Sequence, residues 1–222
     1  MDASGSSTVL LFTRATGYVH ESIPTAAEVI GEALRARGLL AVTSADATSF
    51  TADGLARYAG VVLISTTGTP LGEPGTEPQS ALAAFVRAGG ALVGIHAASS
   101  ADYEEGTTYA RLLGGRFVDH PGGVRPAACH AVAPHPAVAG LPVPFMVRDE
   151  IYVMKYLHPG NTVVLTCDPL GGGPALPIAW HRDEGHGRVF YTALGHDAVD
   201  WTPDGPLVAQ HIVPAILWTL RR

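Results

Sequence analysis

Three short apolar runs in the first hundred residues constrain the fold of this chain more than any other feature. They cover residues 9–13, 61–64 and 91–95, and each is continuous rather than alternating. A strand with one face in solvent alternates apolar and polar residues, whereas a strand buried on both faces reads as an uninterrupted apolar run. The runs therefore predict parallel strands in a sheet that is covered on both sides.

Segments with helical periodicity separate these runs. The first ends at Gly38 and has apolar residues at the spacing of one helix face, which are Ile23, Ala26, Ala27, Ile30 and Leu34. Residues 39–43 predict a further strand, and Thr51 is a predicted helix N-cap. Alternating strands and helices joined by right-handed crossovers predict a flavodoxin-like strand order, which binds ligands outside the carboxyl ends of its strands.

The second half of the chain is richer in strands. Residues 145–154, 162–167, 178–182 and 189–194 read as β, with a hairpin turn at 183–187. A last helix is predicted over about residues 207–220, and Pro214 should kink it. The predicted fold class is α/β: a flavodoxin-like three-layer fold with a mostly parallel central sheet and extra strands in the second half. At 222 residues we expect one domain over residues 1–222.

Composition excludes several classes of partner. The net charge of −6 and the pI near 5.9 leave no basic surface of the kind that binds nucleic acid. The apolar stretches are too short to span a membrane, and residues 1–8 lack the basic start and apolar core of a signal peptide. We therefore expect a cytoplasmic protein with no membrane or nucleic-acid partner, and its low charge is compatible with a homodimer.

The two cysteines, Cys129 and Cys167, lie in different predicted strands and show no metal-binding spacing. A domain of this size does not need a disulfide, so we interpret both as buried free thiols. A disulfide between them is the alternative.

Histidines follow several of the predicted strands. His20 follows the first strand, His96 the fourth and His196 the last, and His120 lies in a loop rich in glycine. A parallel sheet would bring at least three of them to one edge, where histidine serves as acid, base or metal ligand. The structural alternative is that each is an ordinary hydrogen-bonded surface residue.

Other polar residues are candidates beside them. Glu150 and Asp149 alternate faces in a strand, so only one can face the site, and a solvated edge is the alternative. Arg14 could bind a hydroxyl or carboxylate through its fork of donors, or pair with Glu21 on the surface.

Motifs along nearly the whole chain resemble the trehalose-utilisation, or ThuA-like, family. From Leu10 to Trp218 they are Phe12-Thr13-Arg14, Gly17-Tyr18, His20-Glu21-Ser22-Ile23, Val93-Gly94-Ile95-His96-Ala97-Ala98, Leu113-Gly114-Gly115, Phe117, His120-Pro121, His135-Pro136, Gly140-Leu141-Pro142, Asp149-Glu150, Tyr152, Pro177-Ile178-Ala179-Trp180, Gly187-Arg188-Val189-Phe190-Tyr191-Thr192 and Leu194-Gly195-His196. Their order and spacing are specific. The family often has tryptophan where residues 103–109 are rich in Glu and Thr, and the loop at 170–175 is short and glycine-rich.

The resemblance implies a fold like that of class I glutamine amidotransferases. Those enzymes carry a nucleophilic cysteine at the sharp turn after a central strand and a histidine at the end of a later strand. This chain has His96 at the first place and His196 at the second. Attack on glutamine by a thiolate is therefore not available, and we expect other chemistry on this scaffold.

The resemblance also implies a role in sugar catabolism, with a small-molecule carbohydrate as partner. We expect an enzyme that acts on a glycoside or 3-keto sugar by histidine acid–base chemistry, with His96 as base and His196 or Glu150 as acid. The residues expected to hold substrate are Arg14, His20, His120 and Tyr152. One alternative is a non-catalytic carbohydrate-binding or regulatory domain. Another is a metal-dependent hydrolase with a divalent ion such as zinc on His20, His96 and His196.

Overall fold

One large sheet forms the centre of the protein in the computed structural model, which describes residues 6–101 and 107–222. The first half of the chain supplies four strands, β1 to β4, which are Thr8–Phe12, Leu40–Ser44, Gly60–Ile64 and Ala91–Ile95. The second half supplies β5 to β11, which are Arg116–Asp119, Val124–Ala131, Phe145–Glu150, Val153–Lys155, Thr162–Cys167, Leu176–Glu184 and Gly187–Thr192. Residues 103–106 of the segment that departs from the family pattern lie outside the described residues.

The strand order of the nine-stranded sheet is β2-β1-β3-β4-β11-β10-β9-β6-β7, and β5 pairs with β8 in a separate small sheet. The first five strands in this order are parallel, and every pairing beyond β11 is antiparallel. Ile64, Ile95 and Thr192 are register partners at the carboxyl ends of β3, β4 and β11. The flavodoxin-like order and the predicted alignment of these strand ends are confirmed.

Helices cover both faces of the sheet. The helices α1 to α6 are Ser22–Arg35, Ala52–Leu55, Glu77–Arg87, Thr108–Leu113, Pro136–Ala139 and Val213–Thr219. Val9 and Leu11 of β1 join one apolar cluster, whereas Leu10 and Phe12 join the cluster on the opposite face. Burial on both faces is what the continuous apolar runs predict. Within the described residues, no helix has the length and apolar character needed to cross a membrane.

Local sequence signals explain where several elements begin and end. Thr51 accepts a hydrogen bond from the Gly54 backbone N–H, which confirms it as the N-cap of α2. The strand predicted over residues 145–154 is interrupted, because β7 pairs with β6 whereas β8 pairs with β5. Ile151 and Tyr152 lie at this break with buried side chains. The break therefore turns the Tyr152 side chain inward two residues after Glu150.

The interpretation of the two cysteines as free thiols is wrong. Cys129 on β6 and Cys167 on β9 are directly opposite each other in the antiparallel pairing and form a disulfide. The sequence could not reveal this, because their proximity depends on the order of strands in the sheet. Disulfides persist in oxidising compartments and are uncommon in the cytoplasm, so a cytoplasmic location stays a prediction.

The distortion expected from Pro214 takes the form of a wide π turn. Residues Pro206–Ile212 are π-helical and continue into α6, where Pro214 occupies the first turn and has no N–H to donate. His211 lies on the π turn and is fully buried. Its Nδ1–H donates to the Ala137 carbonyl at 2.7 Å, and its Nε2 accepts from the Thr192 hydroxyl at 2.9 Å. The ring therefore joins the last helix to α5 and β11.

The buried imidazole of His211 should make stability depend on pH. Burial lowers its pKa to about 4, although the Ala137 carbonyl favours the charged form. The unfolded chain takes up this proton at about pH 6.5, so the free energy of unfolding should fall by about 3 kcal/mol between pH 6.5 and 4. Other histidines titrate in the same window, so the measurement compares variants. Urea unfolding of His211→Gln should give lower stability at pH 7 and a shallower decline toward pH 4 than wild type; parallel curves would contradict the assignment.

Candidate functional site

The turn after β4 fixes the first side chain of the site. His96 has φ of +49° and opens a short 3₁₀ turn over His96–Ser100. This left-handed backbone conformation is unusual for a residue with a side chain, and it persists only where the surroundings impose it. The His96 Nδ1 lies 2.7 Å from the Ala193 carbonyl oxygen, so Nδ1 carries the proton. Its Nε2 therefore faces Tyr152, Glu150 and His196 at the carboxyl edge of the sheet.

A buried carboxylate holds the turn after β11. Asp149 accepts hydrogen bonds from the backbone N–H groups of Glu150 at 2.8 Å, Gly195 at 2.7 Å and His196 at 3.4 Å. Burial raises the pKa of Asp149, while His96 and these three backbone donors favour its charged form. Asp149 thus fixes the position of His196 relative to Glu150.

Glu150 lies between the two strand-end histidines. Its Oε2 is 3.5 Å from His96 Nε2 and 3.3 Å from His196 Nδ1, and those two nitrogens are 3.4 Å apart. Its Oε1 is 3.8 Å from Nε2 of His120. Burial alone would raise the pKa of Glu150, but the neighbouring histidines bring it below its usual value. The side chain is therefore a carboxylate that faces histidines with both oxygens.

His20 completes the group from the loop between β1 and α1. Its ring centroid lies 4.8 Å from that of His96 and 5.4 Å from that of His196. Burial, together with His96 and His196, lowers the pKa of His20 to about 3, so the ring is neutral. Its Nδ1 is buried and has no hydrogen-bond partner among the residues that the structure describes.

An open cleft leads to these side chains. Its volume is about 310 Å³, and it is lined by Tyr18, His20, Thr67, Ala97, Ser100, Phe117, His120, Glu150 and Tyr152. The Tyr152 hydroxyl lies 3.0 Å from His96 Nε2, and the ring contacts Phe117 at 4.4 Å between centroids. Burial raises the pKa of Tyr152 well above its ordinary value, so the hydroxyl keeps its proton. The cleft thus combines aromatic rings with hydrogen-bonding groups.

Six of the seven predicted site residues come together: His20, His96, His120, Glu150, Tyr152 and His196. Arg14 does not line the cleft, and its charge acts on Asp46 instead. Glu21, the surface partner considered for Arg14, is exposed. Sequence reasoning missed the role of Asp149, because alternation suggested that only one of the two acidic neighbours could serve the site. Both do, since Glu150 faces the histidines while Asp149 accepts the backbone N–H groups of Gly195 and His196.

Comparison with known proteins identifies the family. The family described as trehalose utilisation, ThuA, matches residues 8–219. The chain belongs to the ThuA family. The description of the family supports an involvement of this ThuA protein in carbohydrate metabolism. No curated protein matches the sequence significantly.

Solved structures agree with this fold. A ThuA-like protein from Bacteroides uniformis is 18% identical with a TM-score of 0.70, over 99% of this chain and 91% of the other. A ThuA-like protein from Parabacteroides merdae is 20% identical with a TM-score of 0.70, over 96% and 89%. A cold-adapted β-galactosidase from Rahnella sp. R3 is 18% identical with a TM-score of 0.61, and the match covers 87% of this chain but 29% of that enzyme. At these identities the likeness concerns the fold alone.

The role of Asp149 can be tested through stability. In Asp149→Asn, the side-chain oxygen can keep the Glu150 and His196 N–H groups, but an amide nitrogen must then face the Gly195 N–H. A buried donor facing a donor should lower the free energy of unfolding by about 2–4 kcal/mol. Urea unfolding measures this, with Asp168→Asn, at an exposed carboxylate, as the matched control. Equal stability of the two variants would contradict the role given to Asp149.

Proposed function

We propose that this ThuA protein cleaves a 3-keto glycoside by proton transfer in the cleft. The observation that carries the proposal is the position of Glu150, which faces His96 and His196 with one carboxylate oxygen and His120 with the other. A carboxylate that contacts the buried His96 on one side and the cleft-facing His120 on the other is suited to moving protons at the cleft surface.

The cleft suits a sugar ring in size and lining. Its volume of about 310 Å³ lies at the lower end of the range of small-molecule sites. Tyr18 and Phe117 offer aromatic faces for the C–H face of a pyranose, while Thr67 and Tyr152 offer hydroxyl groups. The trehalose-utilisation family supports a carbohydrate as the substrate class.

A ketone at C3 of the sugar makes cleavage accessible to weak bases. It acidifies the proton on C2, which a base removes while the C2–H electrons form an enolate with C3. The enolate then expels the glycosidic oxygen: the C1–O bond breaks, and the departing oxygen takes a proton from an acid. Addition of water across C1 and C2 returns a solvent proton to C2. Positioned acid and base groups contribute about 10²–10⁴-fold each to the rate of such steps.

The geometry favours His120 and Glu150 as the proton-transfer pair. A group that takes a proton from substrate must be within reach of it, and both residues line the cleft. His96, the base expected from the sequence, is fully buried, and its Nε2 contacts Tyr152. We therefore propose that His96 and His196 hold Glu150 in position from the buried side of the cleft. Tyr152 would donate a hydrogen bond to the ketone or enolate oxygen.

Turnover of a 3-keto disaccharide tests the proposal. His120→Ala and Glu150→Gln should each lower kcat by about 10²–10⁴-fold, because each removes one partner of the proton-transfer pair. The matched control is His130→Ala, which removes a surface histidine paired with Asp168 and should leave kcat unchanged. Product formation is followed by NMR.

Two results would contradict the proposal. Wild-type rates in both site variants would show that His120 and Glu150 are not the proton-transfer pair. Binding of the keto sugar by wild-type protein without any product would instead support a carbohydrate-binding domain.

A further inference from the structure

Four side chains from separate segments bring potential metal ligands together below the cleft. His20, His96, Glu150 and His196 each offer one ligand atom, and these atoms all lie within 4.8 Å of one another. They follow β1, follow β4, end β7 and follow β11 respectively. We propose that they form a binding site for one divalent transition-metal ion of the zinc class. This site stands whether or not the proposed sugar chemistry is correct, because binding of an ion can be measured without any substrate.

The distances among three of these atoms match a single ion. His96 Nε2, His196 Nδ1 and Glu150 Oε2 form a triangle with edges of 3.3, 3.4 and 3.5 Å. Ligands on bonds of ~2.0–2.1 Å at the tetrahedral angle lie about 3.3–3.4 Å apart. Hydrogen-bonded nitrogen and oxygen atoms usually approach to about 2.7–3.2 Å. The triangle is therefore spaced like ligands around zinc rather than like a hydrogen-bonded network.

The orientation of His96 is typical of a metal ligand. Metal-binding histidines usually donate their second ring N–H to a carbonyl or carboxylate, which fixes the tautomer and aims the other nitrogen at the ion. The His96 Nδ1–H donates to the Ala193 carbonyl at 2.7 Å, and Nε2 faces the triangle. Asp149 holds the backbone of His196 in place by accepting its N–H at 3.4 Å.

The remaining contacts are compatible with an ion. The His20 ring is buried, and its Nδ1 has no hydrogen-bond partner within the described part of the chain. A buried ring nitrogen without a partner is costly unless something satisfies it. The Tyr152 hydroxyl, 3.0 Å from His96 Nε2, also lies close to the carboxylate of Glu150. Its proton can turn to that carboxylate and leave the His96 lone pair free for the ion.

The donor set selects the class of metal. Three imidazoles and one carboxylate suit zinc, cobalt or nickel, whereas magnesium and calcium require mostly oxygen ligands. Three ligands are enough for a zinc site that leaves one position open. His20 and Glu150 line the cleft, so the ion would lie on the side where substrate enters.

Metal titration tests this site directly. Protein produced without a histidine tag and freed of metal with a chelator is titrated with Zn²⁺ against a chromophoric competitor, and with Co²⁺ by visible absorption. We expect one equivalent bound and a tetrahedral Co²⁺ spectrum. Glu150→Gln and His196→Gln should each weaken Zn²⁺ binding by more than about 100-fold, since even residues behind the ligands cost 10–100-fold. His130→Ala, a surface histidine 3.4 Å from Asp168, is the matched control and should bind like wild type.

Two results would overturn the proposal: uptake of less than half an equivalent by wild-type protein, or equal Zn²⁺ affinity in wild type and in both ligand variants. The two variants remove different ligands. If one of them does not fold, as shown by the loss of a cooperative unfolding transition, the other still tests the site. His20→Ala should weaken binding less than either, and unchanged affinity would remove His20 from the ligand set. Metal-free protein that cleaves a 3-keto disaccharide at the full rate would separate this site from the proposed reaction.

Discussion

The buried carboxylate of Asp149 is the interaction on which the rest of the site depends. β7 lies at the edge of the sheet, four places from β11 in the strand order, yet Asp149 of β7 binds the backbone after β11. The antiparallel half of the sheet must therefore curve back, so that its edge strand β7 contacts the segment that follows β11. That closure brings Glu150 against the strand-end histidines, which the parallel half positions by itself.

The site is built from groups that oppose stability. A left-handed backbone at His96 and several buried polar side chains cost free energy that apolar residues would not. Such features persist where the surrounding structure imposes them, here a core packed on both faces of the sheet. Their concentration at the carboxyl edge of one sheet, at the base of one cleft, is the physical reason for proposing that the chemistry occurs there.

Sequence reasoning predicted the side chains that meet at the cleft from both halves of the sheet, but not the contacts that join the two halves. His96 and His196 converge because the register of parallel strands aligns the carboxyl ends of β4 and β11. The loop after β1 brings His20 to the same edge. The disulfide of Cys129 and the contact of Asp149 with β11 depend on how the antiparallel strands are ordered, which no local pattern encodes. Arg14 follows a strand as well, but the charge near it is Asp46, outside the cleft.

The central claim is that the cleft removes the proton from C2 of a 3-keto glycoside. Cleavage of such a substrate in D₂O, followed by ¹H NMR of the released 3-keto sugar, tests it most directly. Elimination and addition of water return a solvent proton to C2, so we predict one deuterium at C2 of every product molecule. A product that keeps its original hydrogen at C2 would show direct hydrolysis at C1 and would contradict the account.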